Sequence, residues 1–92
     1  MIKVKVNSFF TMKEIIGNGS EVKLKKEDST VDGLLKELSN LHGEKFKKQI
    51  LDEKTGKVKF YRIVLNGRQC TNTTSALHDG DIIEFYPALA GG

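Results

Sequence analysis

The chain has 92 residues, 29% of them charged, and a formal net charge of +3. This length is enough for one compact domain with one hydrophobic core. A 38% apolar share and one proline exclude a fibrous or largely disordered chain. The start alternates polar and apolar residues, and no run approaches the roughly 20 apolar residues of a membrane span. We therefore expect a soluble, cytoplasmic protein without a membrane partner.

Few residues suggest chemistry within the domain itself. Cys70 is the one cysteine and has no disulfide partner, and the two histidines lack cysteines at metal-ligand spacing. We expect no bound metal or cofactor, and a persulfide role for Cys70 is disfavoured because no base or second cysteine lies nearby in sequence. The one short basic cluster is Lys45, Lys47 and Lys48, which is typical of a solvated face and does not indicate a nucleic-acid partner.

Two strands and an intervening segment are predicted first. Residues 2–6 and 21–25 alternate apolar and polar residues, the period of half-buried strands, and we expect them to pair antiparallel. Between them, residues 9–16 have apolar side chains at helical spacing and end at a glycine-rich stretch, which predicts a helical turn or a loop.

Residues 31–42 form the clearest predicted helix. Ser29 and Thr30 offer hydroxyls for the N-cap, and Gly43 suits the C-terminal cap. The leucines recur at steps of three and four residues, so one face is apolar. We expect the core to include the side chains of Leu34, Leu38 and Leu41.

The second half is predicted to be mainly strand. A hairpin turn at 53–56 precedes a strand at 58–65, and the Asn66-Gly67 pair is a strong two-residue hairpin signal. The remaining predictions are an edge strand at 68–70, a short turn of helix at 76–77 and a last strand at 81–86, which Pro87 ends because it has no N–H. This order predicts an α+β domain in which one main helix crosses one face of a mixed sheet, with the first and last strands parallel neighbours.

Several short motifs are familiar in combination. They are Phe9, Met12, Lys13, Glu14 and Gly17; Thr30-Val31; Leu65-Asn66-Gly67-Arg68; Leu77-His78-Asp79-Gly80-Asp81; Phe85-Tyr86-Pro87; and Gly91-Gly92. Together they resemble the sulfur carriers of molybdopterin and thiamin synthesis, a family with the ubiquitin-like β-grasp fold. The resemblance covers nearly the whole chain. It departs after the last strand, where Ala88 and Leu89 stand in place of a second proline and a β-branched residue.

The resemblance implies a β-grasp domain over 1–86 and a flexible tail over 87–92. It assigns the chemistry to the Gly92 carboxylate, which is adenylated and then converted to a thiocarboxylate, with Gly91 lacking a side chain so that the end can thread a narrow channel. The implied partner-binding residues are Phe85, Tyr86, Pro87, Leu89 and Ala90.

The resemblance also implies that the chain is a carrier and not an enzyme. Its expected partners are an adenylating enzyme that uses ATP, a sulfurtransferase, and a molybdopterin synthase large subunit or a thiazole synthase-like acceptor. Three alternatives stay open: a carrier for thiamin, cysteine or tRNA thiolation, a modifier joined to lysine through Gly92, and an interaction module with no sulfur chemistry.

Overall fold

The computed structural model describes residues 1–88, which form a five-stranded mixed sheet with helices on one face. The strands are β1 (Ile2–Ser8), β2 (Ser20–Leu24), β3 (Tyr61–Leu65), β4 (Arg68–Cys70) and β5 (Ile82–Pro87). The helices are α1 (Thr11–Ile16), α2 (Val31–His42) and α3 (Glu44–Ile50), with a 3₁₀ turn at Lys26–Asp28. The strand order is β2-β1-β5-β3-β4. The predicted α+β class is confirmed.

The first and last strands meet at the centre of the sheet. β1 and β5 are parallel, with Val6 opposite Ile83. On their outer sides, β2 pairs antiparallel with β1 and β3 pairs antiparallel with β5. Alternate residues of these strands, including Val4, Val6 and Phe85, are buried under the helices. The opposite face of the sheet carries the polar and partly exposed side chains.

α2 is fixed at both ends by the residues that the sequence indicated. The Thr30 hydroxyl accepts a 3.0 Å hydrogen bond from the Gly33 N–H, and Gly43 follows the helix with φ 70. The N–H groups of Val31 and Asp32, which have no partner within the helix, donate to carbonyls of the 73–75 loop. The helix therefore begins at a defined residue because each of these N–H groups has a partner.

The buried face of α2 includes fewer of its leucines than the sequence pattern predicts. Leu34 and Leu38 are buried, as predicted, but Leu41 is 60% exposed. The prediction for Leu41 is wrong because the buried face of the last turn runs through Leu38 and Ser39, which leaves Leu41 at the edge of that face.

The segment between α2 and β3 contains a helix that the sequence pattern did not predict. α3 buries Phe46 and Ile50, and the Phe46 ring lies edge-on to Phe85 with centroids 6.3 Å apart. The predicted hairpin after it is present as one bridge, Leu51 to Val58. The predicted start of the next strand at residue 58 is too early, because Phe60 has φ 70 and interrupts the extended chain.

Two boundaries near the C-terminal end also differ from expectation. Ala76 forms an isolated bridge with Thr30, so the predicted helical turn at 76–77 is wrong. Pro87 does not end the pairing of the last strand, because it lies opposite Tyr61 and the next N–H, of Ala88, donates to the Phe60 carbonyl. Backbone pairing therefore continues to Ala88, beyond the predicted end of the last strand at 86.

Within residues 1–88, no helix has the length and apolar character needed to cross a membrane.

Candidate functional site

The predicted partner-binding residues lie at the C-terminal end of β5, the central strand. Phe85 is fully buried and packs in the core, so its side chain is not available to a partner of the folded protein, which corrects that expectation. Tyr86 is 38% exposed and points to the opposite face, and Pro87 is half-buried. The predicted residues Leu89, Ala90, Gly91 and Gly92 lie outside the described part of the chain.

Four aromatic residues lie on the chain segments that pair with this end of β5 or directly follow them, and we call them the aromatic cluster: Phe9, Phe10, Phe60 and Tyr86. The Phe9 and Tyr86 rings are stacked, with centroids 4.9 Å apart. Phe10 and Phe60 are 78% and 66% exposed. Exposed aromatic side chains concentrated in one region are typical of protein-binding surfaces.

The backbone at two members of the cluster is in an unusual conformation. Phe10 has φ 57 and Phe60 has φ 70, a region that bulky residues adopt at a cost of about 1–3 kcal/mol. The Phe10 carbonyl accepts from Lys13 at the start of α1, and the Phe60 carbonyl accepts from Ala88. These hydrogen bonds fix the backbone at both residues, and the Phe60 bond joins it directly to the end of β5.

The sequence pattern pointed to Phe9 only through the resemblance and did not single out Phe10 or Phe60 as site residues. A usable signal was present, because Phe10 directly follows another phenylalanine, and Phe60 adjoins a tyrosine. Both pairs break the alternation expected of a half-buried strand.

The electrostatic surroundings of the aromatic cluster are mixed. The Tyr86 hydroxyl donates a 3.1 Å hydrogen bond to a Glu84 carboxylate oxygen, and this bond raises the pKa of the Tyr86 phenol. The Lys59 ammonium lies 4.9 Å from the Phe60 ring centroid, within range of a cation–π contact. Arg62 is exposed opposite Tyr86 on the neighbouring strand. The surface thus offers rings, two cations and a carboxylate to a partner.

The other polar residues singled out in the sequence support turns. Asp81 accepts from the Asn66 amide and from the His78 N–H, and Asp79 accepts from the Lys3 N–H at the start of β1. Both carboxylates are thus engaged, Asp81 partly within its own turn and Asp79 with the distant start of β1. Among residues 1–88, no three potential metal-ligating side chains are grouped closely enough to hold an ion.

Cys70 lies at the end of the edge strand β4, opposite Ile63 of β3. Its side chain is half-buried, and its Sγ lies 3.2 Å from the Asn72 carbonyl oxygen, the geometry of a weak hydrogen bond. This polar contact of the thiol is with a carbonyl oxygen, which is too weak a base to activate it.

The architecture has close counterparts among solved structures. The small archaeal modifier protein 1 of Methanosarcina acetivorans is 27% identical over 100% of this chain and 98% of its own, with a TM-score of 0.75. A putative molybdopterin converting factor, subunit 1, from Pyrococcus furiosus is 25% identical over 97% of this chain and 100% of its own, with a TM-score of 0.76. A chain of the complex of subunits 1 and 2 of the Helicobacter pylori molybdopterin-converting factor is 24% identical over 99% of this chain and 100% of its own, with a TM-score of 0.65.

The order of strands and helices, with parallel first and last strands at the centre, defines a ubiquitin-like β-grasp protein. The model of the ThiS family matches residues 6–92. The chain therefore belongs to the ThiS family of ubiquitin-like sulfur carriers. No curated protein matches it.

Proposed function

We propose that this chain carries sulfur as a thiocarboxylate on Gly92 and delivers it to a synthase that makes molybdopterin. An adenylating enzyme joins the Gly92 carboxylate to AMP and releases pyrophosphate from ATP. A sulfur nucleophile then displaces AMP, and the carboxyl group keeps the sulfur. The chain supplies the acyl group and the folded domain that its partners bind, while the partners supply the ATP site and the acceptor site.

The observation that supports this proposal is the position of β5. This strand is held on one side by β1 and on the other by β3, and directly after it the Ala88 N–H donates a 2.8 Å hydrogen bond to the Phe60 carbonyl. Only four residues of the sequence follow Ala88. An extended chain of four residues spans about 13–14 Å. A partner that binds the aromatic cluster is thus within reach of the terminal carboxylate.

The proposed partners follow from the same arrangement. The aromatic cluster is the surface we assign to the adenylating enzyme and to a large synthase subunit, with Tyr86, Pro87, Leu89 and Ala90 as contacts and Gly91 as the residue that enters the narrow part of the active site. The Helicobacter pylori relative is itself found in a complex of subunits 1 and 2. A partner of the same kind suits this chain.

A protein modifier is the second candidate, because the Methanosarcina acetivorans relative is a small archaeal modifier protein. Adenylation of Gly92 is common to both functions, and they differ in the next nucleophile, which is sulfur for a carrier and a lysine amine for a modifier. Intact mass and immunoblots of the protein from its own host separate them. A carrier gains one sulfur in exchange for one oxygen, whereas a modifier appears in bands of higher mass.

Removal of Gly91 and Gly92 tests the proposed role of the chain's end. The shortened carboxylate falls short of the adenylating enzyme's ATP by about 7 Å, so we expect no measurable adenylation. The folded domain should be nearly unaffected, with a change in unfolding free energy within about 0.5 kcal/mol. A variant with one alanine added after Gly92 is a second test and should also fail, because its carboxylate passes the reactive position.

Adenylation of the truncated chain at the rate of the intact one would contradict the proposal. Thermal unfolding of each variant, measured in the same buffer, ensures that a loss of activity reflects the tail and not the fold.

A further inference from the structure

Within residues 1–88, the β2 edge of the sheet has backbone groups that no other strand pairs with and that are arranged to accept one. In β1, Lys5 donates its N–H to Asp81 and Lys3 accepts from Gly80, so these residues direct their backbone groups toward β5. Val4, between them, faces β2 and lies opposite Val22. In an antiparallel pair the residues alternate in this way, so the N–H and C=O groups of Glu21 and Lys23 point away from the sheet.

The side chains on this edge carry opposite charges two residues apart. Glu21 and Lys23 are both exposed on the face of the sheet opposite the helices, and Val22 between them is buried. Lys23 lies directly opposite Lys3 of β1, a like-charge pair that is unfavourable in a sheet. Lys23 therefore has an unfavourable neighbour on one side and none on the other.

From this edge we infer that two copies of the chain associate through antiparallel pairing of β2 with β2 of the second copy, with Val22 on the twofold axis. In this register Glu21 lies opposite Lys23 of the second copy, and Lys23 lies opposite its Glu21. Both pairs consist of residues whose backbone groups point outward, so each exchanges two backbone hydrogen bonds. An opposite charge then lies on the free side of Lys23.

The charges select this register over its neighbours. A shift by two residues in one direction places Glu21 opposite Glu21 of the second copy, and a shift in the other places Lys23 opposite Lys23. Each brings like charges together directly across the strands. A shift by one residue places Glu21 or Lys23, whose backbone groups point outward, opposite a residue whose backbone groups already pair with β1. The self-complementary pattern is therefore that of a closed dimer and not of an open chain of copies.

The dimer is compatible with the proposed carrier role and does not depend on it. β1 separates β2 from β5, so the backbone of Tyr86 is about 10 Å from the paired edge. Phe9 and Phe10 follow β1, one strand from that edge. Since the two β2 strands run antiparallel, the two β5 strands do as well, and their C-terminal ends lie at opposite ends of the joined sheet. Two partners could then bind one dimer without competing for space.

Charge reversal on the edge tests the inference by sedimentation equilibrium from micromolar to millimolar protein at low salt. We expect the intact protein to dimerise and Lys23→Glu to weaken the dimer by about tenfold or more, because both cross-strand pairs become repulsive. The same substitution removes the repulsion from Lys3, so the monomer should be at least as stable as the intact protein. Lys54→Glu, an equal change of charge in the exposed 53–56 turn, is the matched control and should leave dimerisation unchanged.

A mixing experiment makes the test specific to this register. Lys23→Glu has two glutamates on the edge and Glu21→Lys has two lysines, so each should be monomeric alone while an equimolar mixture forms a heterodimer. Amide hydrogen exchange at residues 21 and 23 should slow with rising concentration in the intact protein. A monomer at millimolar concentration, a dimer indifferent to Lys23→Glu, or a mixture that stays monomeric would overturn the inference.

Discussion

The Phe9 and Tyr86 rings are stacked at a centroid distance of 4.9 Å, with their planes 16° apart. One ring follows the first strand of the sheet and the other belongs to the last. The contact joins the residues before α1 to the strand that leads to the C-terminal end. A partner that binds Tyr86 therefore meets a side chain already held in one orientation.

Tyr86→Ala should slow adenylation without unfolding the domain. Aromatic residues at the centre of an interface commonly contribute more than 1 kcal/mol, so kcat/KM for the adenylating enzyme should fall by about tenfold. Tyr86→Phe keeps the stacked ring, loses the hydroxyl and should act almost as the intact protein. Steady-state adenylation of the three proteins decides the matter, and an unchanged rate for Tyr86→Ala would remove the aromatic cluster from the proposed interface.

The hydrogen bond from Tyr86 to Glu84 gives the phenol a testable pH dependence. The bond raises the pKa of Tyr86 above its ordinary 10.0. Desolvation of the phenol and the charge of the Glu84 carboxylate raise the pKa further, by smaller amounts. The folded protein thus keeps the phenol proton more tightly than the unfolded chain does. This contribution to stability is complete below pH 10.0 and disappears as the pH rises through the folded-state pKa.

Glu84→Ala should lower the pKa of Tyr86 toward that ordinary value. Glu84→Gln keeps an oxygen acceptor but removes the charge, so it should give an intermediate pKa. The assigned Tyr86 ring signals in an NMR titration report the pKa directly. Identical titration curves for Glu84→Ala and the intact protein would show that the hydrogen bond is absent in solution.

Two leucines of the same helix should respond very differently to truncation. Leu38→Ala removes a side chain that is 1% exposed and should destabilise the fold by about 2–5 kcal/mol. Leu41→Ala removes one that is 60% exposed, and its effect should stay within about 0.5 kcal/mol. Urea unfolding of both variants makes the comparison, and similar losses would mean that Leu41 is covered in solution.

Cys70→Ala should leave sulfur loading intact. The thiol is half-buried next to the Asn72 carbonyl, and the proposed sulfur-bearing atom is the carboxyl carbon of Gly92. Sulfur transferred per molecule, measured with a labelled donor, should equal that of the intact protein. Complete loss of transferred sulfur in this variant would favour a persulfide on Cys70.

Local signals were sufficient for the main helix and for the hairpin at Asn66-Gly67. Thr30 and Gly43 mark the ends of α2 because capping depends on nearby residues, and the positive φ values of Asn66 and Gly67 are those of the predicted turn. The strand neighbours β1 and β5 followed from the order of elements and from the resemblance. These features needed no knowledge of distant contacts.

The missed features depend on contacts distant in sequence. α3 has only two buried side chains in seven residues, and its stability comes from packing such as that of Phe46 on Phe85. Alternation through Val58 and Phe60 predicted a strand, yet the left-handed backbone at Phe60 breaks it. Phe85 and Tyr86 were assigned to one surface, but adjacent strand residues face opposite sides and only one of them is exposed.

Intact-mass spectrometry tests the central claim most directly. The purified protein is incubated with its adenylating enzyme, ATP and a sulfur donor, and fragmentation then locates any mass change. The account predicts that the mass rises by the difference between sulfur and oxygen, that the change maps to Gly92, and that it requires ATP. A protein that is adenylated yet never retains sulfur, or that holds its sulfur on Cys70, would contradict the account.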